Sequence, residues 1–291
     1  MRDSGTGLPP RPLFESLAKP AEREFPFSAA DFERVRKLIY QYAGISLSPI
    51  KQDMVYSRLA RRLRATGKKS FCDYLDALER GNSSEWESFV NSLTTNLTSF
   101  FREPHHFPVL ADHLRKLGSR RPIRIWCCAA STGEEPYSIA MTVAEAFGGS
   151  ASHVSILCSD LDTNVLSTAE RGVYPLERVD KVPEDKLRRF FLKGSGNQEG
   201  YVSIRPELRS LVRFQRINLL DSNWPVQGPL DVIFCRNVMI YFDKPTQYKI
   251  LSRFVPLLQP DGLMFAGHSE SFNHAADLIV PCGRTIYRLR P

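Results

Sequence analysis

The feature that most constrains this chain is a change of periodicity near Arg121. From Ser28 to about Leu117 every apolar repeat has helical spacing; beyond it, short runs of β-branched and aromatic residues alternate with helical repeats. Candidate strands are Ile123–Cys128, Val154–Cys158, Val212–Ile217, Asp231–Phe234, Gly262–Ala266 and Thr285–Leu289, with helices at about Glu134–Phe147, Thr163–Arg171 and Pro245–Leu258. Such alternation predicts an α/β domain, doubly wound around a mostly parallel sheet with helices on both faces. Residues 172–211 are too long for one strand–helix connection and hold Gly194, Gly196 and Gly200, so they are expected to form an inserted subdomain.

The first third of the chain predicts an all-helical N-terminal domain over residues 27–100. Ser28 is a suitable N-cap for a helix to about Tyr42, closed by Gly44, and a second helix runs from about Pro49 to Thr66 before Gly67. Helices follow at Ser70–Glu79 and Ser84–Leu97, and a fifth after Pro104 opens the α/β domain of residues 101–291. Residues 1–26, with Pro9, Pro10, Pro12, Pro20 and Pro26 and little apolar patterning, read as a mobile tail. That segment has no signal-peptide core, and no apolar run approaches the ~20 residues of a membrane span, so a cytoplasmic protein without membrane insertion is expected. Six cysteines without a CxxC pair point to buried thiols rather than zinc or disulfides.

The net charge of +7 is unevenly placed: residues 31–70 hold ten Lys/Arg against three Asp/Glu, so this segment carries the whole excess. On a helical wheel Val55, Tyr56, Leu59, Ala60 and Leu63 share one arc, and Lys51, Arg58, Arg61, Arg62 and Arg64 the opposite one. The basic residues lack i,i+4 acids, so a solvated cationic docking face is expected. Its partner would be an acidic protein helix or nucleic acid, the scarcity of interleaved aromatics disfavouring single strands.

Ile123–Tyr137, IRIWCCAASTGEEPY, reads as strand, small-residue turn and helix start, the place where open α/β sheets bind ligands. The turn lacks the GxGxxG that cradles a pyrophosphate, and Glu134 and Glu135 supply negative charge at the helix N-terminus. A phosphate-rich cofactor would be repelled and a cationic one attracted. Asp160, in CSDLD just past the second strand, suits a ribose diol or a helix cap. A dinucleotide dehydrogenase and an S-adenosylmethionine methyltransferase both remain open on these residues, with the acidic turn favouring methyl transfer.

Four segments taken together, NSLTTNLTSFFRE, AASTGEEPYSIAM, FCRNVMIYF and FAGHSE, resemble the CheR-type chemotaxis receptor glutamate O-methyltransferases from about Phe27 to Arg288. The resemblance implies a seven-stranded, mostly parallel sheet of the S-adenosylmethionine-methyltransferase type with a small inserted β-subdomain. It implies methyl transfer from S-adenosylmethionine to glutamates on the helical signalling bundle of chemoreceptors, leaving S-adenosylhomocysteine. It implies cofactor contacts at Asn96, Thr98, Arg102, Glu135, Asp160, Asn218, Leu219, Arg236 and Asn237, with Arg102 and Tyr241 flanking the transferring methyl. Outside the family, Asn96 and Thr98 would be read as helix caps, Arg236 as an ion pair and Tyr241 as a packed aromatic. His105 and His106 are read as helix-opening residues without catalytic duty, and His268 as a neighbour of the site. No metal is implied, no nucleic acid as partner, and a monomer is expected. Docking of the receptor bundle falls to Lys51, Arg58, Arg61, Arg62 and Arg64. Some family members also bind a receptor's C-terminal pentapeptide through a Gly-x-x-Arg strand; here Gly200 is followed by Ser203 in the Arg position, with Arg205 two residues on. A methyltransferase for RNA or a small molecule, and a nucleic-acid-binding regulator with a vestigial pocket, are the rival readings.

Overall fold

The computed structural model describes residues 23–81, 83–149 and 151–291. Five helices come first: α1 (Ala29–Ala43), α2 (Gln52–Thr66), α3 (Phe71–Glu79), α4 (Ser83–Leu93) and α5 (His106–Leu117). Then follow β1 (Ile123–Cys127), α6 (Glu134–Ala146), β2 (Val154–Asp160), α7 (Thr163–Arg171), β3 (Val173–Pro175), α8 (Glu184–Phe190), β4 (Phe191–Lys193), β5 (Tyr201–Ile204), α9 (Pro206–Arg209) and β6 (Val212–Arg216). The chain closes with β7 (Leu230–Cys235), α10 (Lys244–Phe254), β8 (Leu258–Ala266), β9 (Ile279–Gly283) and β10 (Ile286–Leu289).

Seven strands form one sheet in the order β6-β2-β1-β7-β8-β10-β9. The first five are parallel, and β10 runs antiparallel to β8 and β9. Alternation along β1 explains the layering: Ile123, Ile125 and Cys127 join the core under α5 and α6, while Trp126 and Cys128 join the core under α10. Helices cover both faces, so β7 is buried at all six positions. Residues 172–211 hold a separate antiparallel sheet, β3-β5-β4, with α8. No helix among the described residues is long and apolar enough to cross a membrane.

The helical part packs around its own core of Val35, Ile39, Val55, Leu59, Leu63, Phe71, Tyr74 and Phe89. It is tied to the sheet domain by short hydrogen bonds. Ser46 N–H donates to Tyr241 O at 2.8 Å, Asn218 Nδ2 to Tyr42 O at 2.8 Å, and Tyr40 Oη to Asp243 at 2.8 Å. Gly44 ends α1 at φ 67°, where a Cβ would lie 2.9 Å from the Leu220 side chain, so only glycine fits both the turn and the domain contact.

Most of the expected tail lies outside the described residues. Its last stretch is bound: the Arg23 guanidinium lies 4.8 Å from the Tyr56 ring centroid, and Glu24 pairs with Arg64.

Three expectations are corrected. The fourth helix stops at Leu93 rather than Leu97, because Thr94 Oγ1 turns back to Asn91 O at 2.9 Å and Arg58 takes the freed carbonyls of Leu93 and Thr94 at 3.1 and 2.6 Å. Residues 94–99 have no regular secondary structure. An edge strand at Ile279–Gly283 went unread, since Pro281 and Gly283 break its pattern. Finally, the basic residues of α2 are not a solvated, unpaired face. Arg58 caps α4 as described, Arg62 grips Glu85 through Nε and Nη2 at 3.1 and 2.7 Å, and Arg64 pairs with Glu24. The acids come from other elements, out of sight of an i,i+4 test. Arg61 is exposed and has no acidic partner among the described residues.

Candidate active site

Four parallel strands, β1, β2, β6 and β7, end along one edge of the sheet, and the irregular segment after α4 is bonded to the turns that follow β1 and β2. β1 leads into the turn Cys128–Gly133. Ser131 takes φ 47° and Gly133 φ 99°, and a Cβ at Gly133 would lie 2.6 Å from Tyr174 Oη. α6 then opens with two buried carboxylates, a placement the helix dipole favours. The two have different duties. Glu134 is held by Arg178 of the inserted subdomain and by Thr132 Oγ1 at 2.6 Å. Glu135 faces the cleft, accepting from Arg236 Nη1 and from Cys127 Sγ at 3.3 Å. Burial pushes the Glu135 carboxyl up, and the Arg236 charge opposes that rise.

Past β2, Asp160 accepts the Ser131 N–H at 2.8 Å and the Asp162 N–H at 3.0 Å. Burial nevertheless pushes its carboxyl up to about 6. Asp162 caps α7 through Asn164 N–H at 2.9 Å, and its other oxygen accepts Asn96 Nδ2 at 2.9 Å and Thr94 Oγ1 at 3.1 Å. One carboxylate thereby pins the irregular segment to the sheet. Past β6, Asn218 holds Tyr42 O and accepts Leu220 N–H at 3.0 Å, with Leu219 buried beside it.

Past β7 comes Arg236, whose side chain is fully buried. Besides Glu135 it reaches Arg102 O at 2.6 Å and lies 3.5 Å from Glu103 Oε2. Asn237 follows at φ 57°, its N–H donated to Glu270 at 3.0 Å. Gly267 N–H donates to the same Glu270 oxygen at 2.5 Å, and a Cβ on Gly267 would lie 2.2 Å from Asn237 Nδ2. Tyr241 Oη donates to Thr95 O at 3.4 Å, and the Lys51 ammonium stands 5.9 Å from its ring centroid.

One cleft is lined by Asn96, Thr98, Arg102, Glu135, Asp160, Asn218, Leu219, Arg236, Asn237 and Tyr241, which are all ten expected catalytic and cofactor residues, together with Lys51. Of the other docking residues, Arg58, Arg61, Arg62 and Arg64 lie outside it.

Sequence reasoning left Glu103 and Glu270 without a role, although both stand inside the quoted segments. Glu103 joins three of them: it accepts His268 N–H at 3.1 Å and Asn237 Nδ2 at 3.4 Å, and faces Arg236. Burial alone would raise its carboxyl; the Arg236 charge and these bonds bring it down to about 2. His106 is buried against Phe265 with Nε2 2.8 Å from Thr285 Oγ1, and burial lowers it to about 3, so it is neutral. Glu103, His105 and His106 bring ligand atoms within 4.8 Å of one another. The Arg236 guanidinium already supplies the positive charge there, which opposes a metal ion. The thiols Cys127, Cys128, Cys158 and Cys235 are buried, whereas Cys72 and Cys282 are exposed.

The cleft fits S-adenosylmethionine on its own chemistry. It offers carboxylates to a ribose diol and to a cationic amino-acid nucleoside, and its opening turn has no phosphate cradle.

Comparison with known proteins agrees. A model described as the CheR methyltransferase SAM-binding domain matches residues 96–287, and one described as the CheR methyltransferase all-alpha domain matches residues 30–94. Chemotaxis protein methyltransferase 2 of Pseudomonas aeruginosa is 53% identical over 279 residues, covering 96% of this chain and 97% of that protein. The chemotaxis protein methyltransferase of Escherichia coli is 53% identical over 263 residues, covering 90% and 91%. That of Borreliella burgdorferi is 34% identical over 263 residues, covering 86% and 92%. A chain whose two parts match both family domains, and whose cleft collects the family's motif residues, belongs to the CheR methyltransferase family.

Proposed function

We propose that this protein methylates glutamate side chains on the cytoplasmic helical bundle of chemoreceptors, taking the methyl from S-adenosylmethionine, as the adaptation step of chemotaxis. The observation that carries the reading is the convergence of Arg102, Tyr241 and the acidic pair Glu135 and Asp160 on one cleft. When bound, S-adenosylmethionine supplies an electrophilic methyl on a sulfonium. The acceptor glutamate, with an ordinary pKa near ~4.3, arrives ionised and needs no general base. Neutral, buried His106 is therefore left out of the chemistry. The protein's task is alignment and charge. Desolvation would protonate the acceptor carboxylate, and the Arg102 guanidinium keeps it charged while the Tyr241 hydroxyl orients it. Incubation with labelled S-adenosylmethionine and a receptor signalling fragment tests this: base-labile label on the fragment is the expected result. Label on RNA, or none, would favour a rival.

Asp160 gives a pH signature. Its folded value of about 6 lies above the ordinary carboxylate range, so the native apoprotein holds this proton down to lower acidity than the unfolded chain does. The group thus favours folding toward acid, through the window between about 6 and the unfolded value near ~3.9, and loses that contribution above pH 6. The ionised form is the stronger acceptor for a ribose hydroxyl. S-adenosylmethionine affinity is expected to fall by about tenfold per pH unit below 6, measured by calorimetry, with Asp160→Asn weak and flat.

The helical domain, residues 27–100, docks the acidic bundle in this reading, and the protein acts as a monomer. Because Arg58, Arg62 and Arg64 are engaged internally, Arg61→Glu is the clean reversal. It is expected to weaken receptor binding several-fold, the wild-type affinity itself falling as salt rises; binding indifferent to salt would remove the electrostatic account. Docking extends to a receptor's C-terminal pentapeptide through Arg205, whose Nε is buried without a partner at the end of β5. Calorimetry with that peptide decides it.

A further inference from the structure

Among the described residues, the two most exposed large apolar side chains are Ile50, at 93%, and Leu97, at 76%. One exposed apolar residue needs no explanation. These two, with Ile240 at 48%, belong to three separate segments that meet at the cleft. Leu97 lines it; Ile50 and Ile240 each precede a residue that does, Lys51 and Tyr241. Their meeting is fixed by contacts already described: Lys51 over the Tyr241 ring, Tyr241 Oη on Thr95 O, and Ser46 N–H on Tyr241 O. Arg102 Nη1 also donates to Leu97 O at 2.8 Å.

An α-helix with its side chains is about 10–12 Å across. A glutamate on such a helix reaches Arg102 only if the helix lies on the cleft mouth itself. The residues three and four positions away share the glutamate's face, about 5–6 Å from it, and must land beside the opening. There they meet isoleucine and leucine.

We propose that Ile50, Leu97 and Ile240 form an apolar rim that selects which glutamate is methylated. In this inference, which rests on the reading given under Proposed function, the occupant is an otherwise acidic helix with small or apolar residues one turn to either side of the acceptor. A charged residue at those positions would be stripped of water against the rim with no partner.

The test uses the full-length protein and a receptor signalling fragment in steady-state methylation. Ile50 and Ile240 lie outside the cleft lining, so the double variant Ile50→Ser/Ile240→Ser is expected to keep kcat and S-adenosylmethionine affinity while its KM for the receptor rises about tenfold. A second arm places Lys or Glu one turn from a single acceptor glutamate. The wild type is expected to lose about tenfold in kcat/KM on that fragment, and the double variant to lose its preference. An unchanged KM with unchanged preference overturns the rim while leaving receptor methylation standing. A wild-type protein that labels no receptor fragment overturns the underlying reading and the rim with it.

Discussion

Arg236→Ala is expected to lower stability by about 3–5 kcal/mol, the largest effect of any single substitution in the site. The guanidinium is fully buried between Glu135 and Glu103, and it also holds the Arg102 carbonyl. Removing it leaves two carboxylates facing each other across a void without their shared cation. Against a typical total of about 5–15 kcal/mol, such a loss takes a large share of the fold's margin. Urea denaturation measures it. A companion variant relieves both charge and cavity: Arg236→Met combined with Glu135→Gln fills the space and removes one stranded charge. It should recover much of the stability while S-adenosylmethionine binding stays lost. Equal instability of both variants would mean that neither the void nor the Glu135 charge governs, leaving the lost bond to the Arg102 carbonyl as the cause.

Arg102→Ala is expected to have the opposite profile, an intact fold with receptor methylation reduced by at least about 100-fold. Its side chain is half-buried and its one protein partner among the described residues is the Leu97 carbonyl at 2.8 Å, so little structure depends on it. In the proposed mechanism what is lost is the cation that holds an acceptor carboxylate ionised as water leaves. Arg102→Lys restores the charge without the planar fork and should recover only part of the rate. Methylation within a few-fold of wild type in Arg102→Ala, at an unchanged denaturation midpoint, would end its assignment.

Much of the frame could be read from the residues because local chemistry and global fold agree in it. Ser28, Ser70 and Asp162 cap their helices, Gly44 and Gly67 close theirs, and Thr163–Arg171 emerged at both ends as expected. The cleft residues were legible for a related reason: in a parallel sheet the segment after each strand must rise at the same edge, so their convergence follows from topology. What escaped depends on pairs distant in sequence. Glu85 and Glu24 neutralise α2 from another helix and from the chain leading into α1. Glu103 finds Asn237 and His268 across the sheet, and no spacing rule connects positions 103, 237 and 268. The end of α4 was misplaced for the same reason, since the guanidinium that stops it comes from α2, which packs beside it but lies far back in the sequence.

That last contact has a mechanical consequence. Arg58 sits on α2, the helix proposed to dock the receptor, yet its guanidinium holds the carbonyls of Leu93 and Thr94, where the segment that lines the cleft begins. In the proposed reading, the helix that docks the receptor and the segment over the cofactor cleft therefore share this contact. Where receptor binding shifts that contact, each ligand alters the other's affinity by the same factor, a reciprocity that paired titrations with and without receptor would expose.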